Sequence, residues 1–155
     1  IFCEHKSLYG LKGDVPEGSY AIPFNEANVV REGGDVTVVA IGMMLHKTME
    51  AATALAKEGI QCEVIDPRTT SPLDLDTIIE SVENTGRLVV VDESNPRCSM
   101  AADISAQVTE QAFGSLKGPV RMVTAPHCPP PFSDVLEDLY IPSPEKIAEA
   151  VRVLS

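Results

Sequence analysis

The stretch Asp35-Val36-Thr37-Val38-Val39-Ala40-Ile41-Gly42 decides the reading of this chain. It is short, almost wholly apolar, rich in β-branched residues, and it ends at a glycine. Directly after it the period changes. Leu45, Met49, Ala52 and Ala56 fall at helical spacing, and Gly59 stands where a helix end favours a left-handed residue. The alternation then repeats. Further apolar runs are Cys62-Glu63-Val64-Ile65-Asp66, Arg87-Leu88-Val89-Val90-Val91-Asp92 and Val120-Arg121-Met122-Val123-Thr124, each preceded by a helical pattern. Short Val- and Ile-rich runs separated by helices indicate parallel strands covered on both faces. The expected fold is α/β: a three-layer α/β/α sandwich around a mostly parallel sheet of about five strands.

The punctuation between the runs supports that reading. Ser71 can cap a second helix, with Pro72 at its first position, Asp74 in its first turn and Gly86 closing it. Its inward positions read as Leu75, Ile78, Ile79 and Val82. Ser99 caps a third helix that turns Ile104, Val108 and Ala112 inward. Ser143-Pro144-Glu145 opens a final helix with Ile147, Val151 and Leu154 on its inner stripe. Between them, Ala125-Pro126-His127-Cys128-Pro129-Pro130-Pro131-Phe132 reads as stiff and extended, because three consecutive prolines fix φ and remove three donors.

Residues 1–34 look different. Glycines and prolines punctuate them, and only Ala27–Arg31 reads as a short strand. The expected division is an irregular lead-in, 1–34, and an α/β domain, 35–155. The chain opens Ile1-Phe2-Cys3-Glu4, like the end of a strand cut from a longer polypeptide. The lead-in is therefore expected to be the remnant of a link to an N-terminal domain.

Bulk properties narrow the function. With 155 residues, 44% hydrophobic and 23% charged, the chain has the composition of one globular domain. A net charge of −11 disfavours nucleic acid and anionic membranes as partners and suits a basic protein partner. No apolar run approaches the roughly 18 residues a membrane helix needs. The cysteines Cys3, Cys62, Cys98 and Cys128 form no CxxC pair, so a zinc site is not expected, and free thiols point to the cytoplasm.

Few residues carry recognisable chemistry. A dinucleotide fold would place GxGxxG after the first strand, but Gly42-Met43-Met44-Leu45-His46-Lys47 has one glycine and two bulky residues. His46 starts a helix beyond a strand's carboxyl end, the edge where α/β sheets bind ligands. The loop Asp92–Ser99 lies at the same edge and offers Ser94, Asn95 and Arg97 beside a helix N-terminus. Its alternative is a surface turn whose Ser99 caps the helix. His5 and His127 have no acid partner nearby in sequence, and no base adjoins Cys98. Asp134, Glu137 and Asp138 cluster after the prolines; they read as a solvated face or as a docking surface for a basic partner. Residue chemistry alone stops at a doubly wound domain, a binding or assembly module.

Five segments in order carry a resemblance. They are Glu4-His5-Lys6-Ser7-Leu8-Tyr9; Val15-Pro16 through Ile22-Pro23-Phe24; Arg31-Glu32-Gly33-Gly34-Asp35 with the run that follows; Glu63-Val64-Ile65-Asp66-Pro67-Arg68-Thr69 with Pro72-Leu73-Asp74; and Leu136-Glu137-Asp138 before Ile141-Pro142. Together they resemble the C-terminal domain of the transketolase superfamily, most closely in the beta subunit of the decarboxylating component of 2-oxo acid dehydrogenase complexes. The wording around Asp92–Ala101 and Ala125–Pro129 is similar to the acetoin dehydrogenase branch. The resemblance implies an enzyme that uses thiamine diphosphate and magnesium, bound mainly outside this chain. It implies an alpha subunit, a second beta subunit and the basic subunit-binding domain of a lipoyl acyltransferase as partners. It implies no catalytic, cofactor-binding or metal residue here. Lys117 departs from relatives that carry acids in that region to hold the acyltransferase. Two rivals share the fold: a free-standing flavodoxin-like module with a small ligand at Gly42, His46, Ser94 and Asn95, and a sugar-phosphate transferase that would use Arg97.

Overall fold

The computed structural model describes residues 1–155. At its centre lies strand β2, Val36–Ala40, all five residues of which are buried. Strand β3, Cys62–Asp66, lies on one side of it and β4, Leu88–Val91, on the other; both run parallel to it, with Val38 opposite Val64 and Val89. Strand β5, Arg121–Val123, extends the sheet beyond β4 in parallel. The opposite edge is strand β1, Asn28–Arg31, paired antiparallel with β3. The order β1-β3-β2-β4-β5 reverses direction between β2 and β4. That reversal opens a crevice at the strands' carboxyl ends.

Strand alternation splits the core into two layers. Val36, Val38, Ala40, Val64, Val89 and Val91 face helices α1, Met43–Lys57, and α5, Pro144–Arg152. Val39, Ile65, Leu88 and Val90 face helices α2, Leu75–Thr85, and α3, Met100–Ala112. The expected three-layer sandwich is the observed one. Each aliphatic side chain buried in these layers contributes about 1.5–3 kcal/mol relative to exposure. Thr37 is the polar exception on β2. Its hydroxyl lies 2.6 Å from that of Ser81 and 2.8 Å from that of Thr85, a buried network against α2.

Two local expectations are corrected. Helix α2 starts at Leu75, not Pro72. The Ser71–Pro72 bond is cis, both residues lie in the loop, and Asp74 is the cap: its Oδ1 accepts from the Thr77 N–H at 3.1 Å. Helix α1 buries Met44, Thr48, Ala51, Ala52 and Leu55, whereas Leu45, Met49 and Ala56 are only half-buried. The buried Thr48 hid that stripe from a hydrophobic count. The remaining caps are as read: Ser99 accepts from Ala102, Ser143 accepts from Lys146, and Gly86 takes φ +77° after α2. Leu154 lies just past α5 and is half-buried. The proline-rich stretch leads into one more helix, the fourth in chain order, before α5. This is a seven-residue segment, Asp134–Tyr140, called α4.

Candidate functional site

The crevice between β2 and β4 holds a pair that sequence reading missed. His5 Nε2–H donates to Glu93 Oε1 at 2.7 Å, and the Ser7 N–H donates to His5 Nδ1 at 3.2 Å. The second bond makes Nδ1 an acceptor and so places the proton on Nε2, toward the carboxylate. Both side chains keep about a third of their surface exposed, 28% and 33%. The imidazole lies beside Gly42, where an added Cβ would stand 4.0 Å from His5 Cδ2. This is the one hydrogen bond tying residues 1–24 to the rest of the chain. A carboxylate-oriented imidazole at a sheet's carboxyl edge can hold or pass one proton. The partners are 88 residues apart, so no local pattern shows them. The available signal was Glu93 itself, placed directly beyond β4.

The expected edge residues are spread out. Ser94, Asn95 and Arg97 share the β4–α3 loop, but their polar groups mostly shape it. Asn95 Oδ1 accepts from the Arg97 N–H at 3.0 Å, and the Ser94 carbonyl accepts from Ala125 N–H at 3.1 Å. Buried Asp92 organises the same loop, its carboxylate accepting from the N–H groups of Ser94 and Ala101. The Arg97 guanidinium makes no hydrogen bond. His46 is exposed on α1, and no hydrogen bond joins it to that loop. Asn95 also borders a shallow cleft of about 330 Å³ with His127, Cys128 and Tyr140.

The acidic cluster occupies one side of α4. Asp134, Glu137 and Asp138 fall three and four residues apart and so share a face; none is in an ion pair. The opposite face carries Val135, Leu136 and Leu139, at 71%, 52% and 70% exposure, with Phe132 just before it. Helix α4 thus packs neither face into this domain. It is held at its end, where the Tyr140 hydroxyl donates to the Cys128 carbonyl at 3.0 Å. Lys117, by contrast, is committed internally: its ammonium donates to the Thr85 carbonyl at the end of α2, 3.1 Å away.

The family model for "Transketolase, C-terminal domain" matches residues 25–147. The chain belongs to the transketolase C-terminal domain family. Its similarity to curated proteins spans nearly its full length. It is 66% identical over 152 residues to the beta subunit of acetoin:2,6-dichlorophenolindophenol oxidoreductase of Cupriavidus necator, covering 98% of this chain and 45% of that protein. The corresponding Bacillus subtilis subunit is 51% identical over 99% of this chain. The B. subtilis pyruvate dehydrogenase E1 component subunit beta is 42% identical over 98% of this chain and 47% of that protein. The chain therefore spans about half the length of the curated relatives it matches. Among solved structures, a split-gene transketolase described as an inactive beta4 tetramer superposes with a TM-score of 0.76. It is 27% identical, over 92% of this chain and 45% of that one.

Within the transketolase C-terminal domain, strand β1 and all four long helices fall inside or across the matched residues, while His5 lies before them. No helix is long and apolar enough to cross a membrane.

Proposed function

We propose that this domain is the assembly and partner-docking half of the beta subunit of a thiamine-diphosphate-dependent acetoin or 2-oxo acid (pyruvate) dehydrogenase. The observation that carries this reading is α4, a helix with one acidic and one apolar face, neither of them packed within its own domain. A folded chain leaves such a helix exposed when another surface completes it. The acidic face, Asp134, Glu137 and Asp138, suits a basic domain such as the subunit-binding domain of a lipoyl acyltransferase, with electrostatics raising on-rate and specificity. The part of the lead-in that precedes strand β1 forms the link to the other half of the subunit, and the alpha subunit and a second beta subunit complete the enzyme. The cytoplasm is its compartment, where four unpaired thiols persist.

This reading gives no residue of the domain to thiamine diphosphate or magnesium: the first strand–helix turn carries a single glycine, Gly42, and its Met44 is packed into the core rather than turned toward a ligand. In this reading the other half of the beta subunit and the alpha subunit hold the cofactor. There the cofactor supplies carbon–carbon bond cleavage, and the acyl group passes to a lipoyl arm. This domain contributes rigid placement of its partners, and on its own it turns nothing over. The flavodoxin-like alternative is not favoured, since the Asn95 side chain already serves its own loop.

The test uses the complete beta subunit assembled with its alpha subunit. Reversing Asp134, Glu137 and Asp138 to lysine should weaken binding of the acyltransferase's basic domain at low salt at least tenfold. The wild-type affinity should fall with added salt and the variant's should not. Unchanged binding at low salt would remove the docking role.

A further inference from the structure

A second surface has the opposite character. Beyond β5 no strand follows, so its outer side is an open sheet edge. The Asp92 N–H donates to the Val123 carbonyl at 3.1 Å, so Val123 faces β4. By strand alternation, Met122 turns its own N–H and C=O outward, and so does Thr124 one step on. A cleft of about 400 Å³ runs along this edge between β5 and α5, lined by Arg121, Met122, Thr124, Lys146, Glu149 and Val153 among others. Met122 and Val153 are 41% and 62% exposed. The edge carries no bulge and no proline within β5, two of the devices by which sheets discourage pairing.

Charge selects the occupant. The chain as a whole carries −11, yet the cleft places Arg121 and Lys146 against a single carboxylate, Glu149. Glu149 lies one turn before Arg152 on α5 and also faces that cation. The cleft is therefore a cationic patch on an acidic molecule, so it does not suit the basic partner that α4 suits.

We propose that this cleft takes an extended, acidic segment of a partner protein as an added strand beside β5. Main-chain bonds to Met122 and Thr124 supply the pairing. Apolar side chains of the segment pack on Val153 and Ala150, and its carboxylates meet Arg121 and Lys146. This surface is independent of α4 and survives if the docking role of α4 fails.

The experiment measures binding of two labelled eight-residue peptides to the complete beta subunit at low salt, by fluorescence anisotropy. One alternates valine with glutamate, the other valine with lysine. The glutamate peptide should bind about tenfold tighter, and it should slow amide exchange at residues 121–124. The double variant Arg121→Glu/Lys146→Glu, altered only at exposed side chains, should invert the preference. Met122→Pro removes the outward N–H while leaving the β4 ladder intact, and should abolish binding of the glutamate peptide. Equal binding of the two peptides, a preference untouched by charge reversal, or protection elsewhere would overturn the proposal. So would protection of 121–124 that arises without peptide and tracks self-association in sedimentation, because the occupant would then be a second copy of the chain.

Discussion

Asp74→Ala should cost far more than an ordinary loop substitution. The carboxylate holds three donors at once. Oδ1 accepts the Thr77 N–H at 3.1 Å, and Oδ2 accepts the Thr77 hydroxyl and the Ala27 N–H, each at 2.8 Å. Loss of the helix cap costs about 1 kcal/mol. Loss of a charged acceptor for the Ala27 N–H adds about 1–1.5 kcal/mol, the low end for such bonds, because the site is only half-buried and water reaches it. Together that is about 2–2.5 kcal/mol, or roughly 5–10 °C in Tm for a chain of this size. Asp74→Ser separates the two parts: it keeps the cap but cannot span to Ala27, so it should recover about half. The pH dependence has a definite sign. Burial pushes the Asp74 carboxyl up, but the bonds from Ala27 and Thr77 outweigh it and hold it below its ordinary value of 3.8. A carboxyl lowered on folding stabilises above that value and loses its contribution as pH falls through the folded value. The gap between wild type and Asp74→Ala should thus be constant from neutral pH down to about 4.5 and close below 3.8. Urea unfolding across that range reads it. A loss under about 0.5 kcal/mol at neutral pH, or a gap that widens in acid, would refute the reasoning.

Three further outcomes follow from the core. Gly33→Ala should destabilise by about 3 kcal/mol or more, because an added Cβ falls on the Cys62 carbonyl group and the Gln61 oxygen, all backbone; thermal unfolding checks it. Thr37→Val should cost about 1–3 kcal/mol by stranding the Ser81 hydroxyl, and adding Ser81→Ala should recover part of that loss, a non-additivity that a double-mutant cycle in urea reads. Burial pushes the Cys62 thiol up to about 11, so iodoacetamide at neutral pH should label Cys3, Cys98 and Cys128 and spare Cys62, as mass mapping would show.

The layers were legible because burial on both faces writes itself into composition. A central parallel strand has no polar side to display, so Val36–Ala40 and Leu88–Val91 stand out as unbroken apolar runs. Caps were legible where one residue does the work, as at Ser99 and Ser143. The start of α2 was not, because the Ser71-Pro72 pair carries a helix-start signature three residues ahead of Asp74, the residue that caps the helix. Asp74 is also held by the Ala27 N–H, 47 residues away, a contact no local pattern shows. The His5–Glu93 pair fails by the same route. Each residue is unremarkable locally, and the link exists only once β2 and β4 are neighbours and the lead-in folds back across their ends. Polar pairs at a switch crevice are long-range by construction, so single-sequence reading finds the edge and misses the partner.

The exposed surfaces separate two kinds of contact. Lys117 shows why charge in sequence is a poor guide by itself. Its ammonium terminates α2, so substituting it should perturb the fold before it perturbs any partner. Asp134, Glu137 and Asp138 have no such internal employment, and neither do the guanidinium of Arg121 and the ammonium of Lys146, which make no hydrogen bond or ion pair within the chain. A charged side chain that its own fold does not use, on a helix or edge that its own fold does not cover, costs little to keep exposed and is available to a partner. The acidic face of α4 and the cationic edge of β5 both meet that criterion, which is what supports proposing them as partner surfaces. Their opposite signs call for two different partner chemistries.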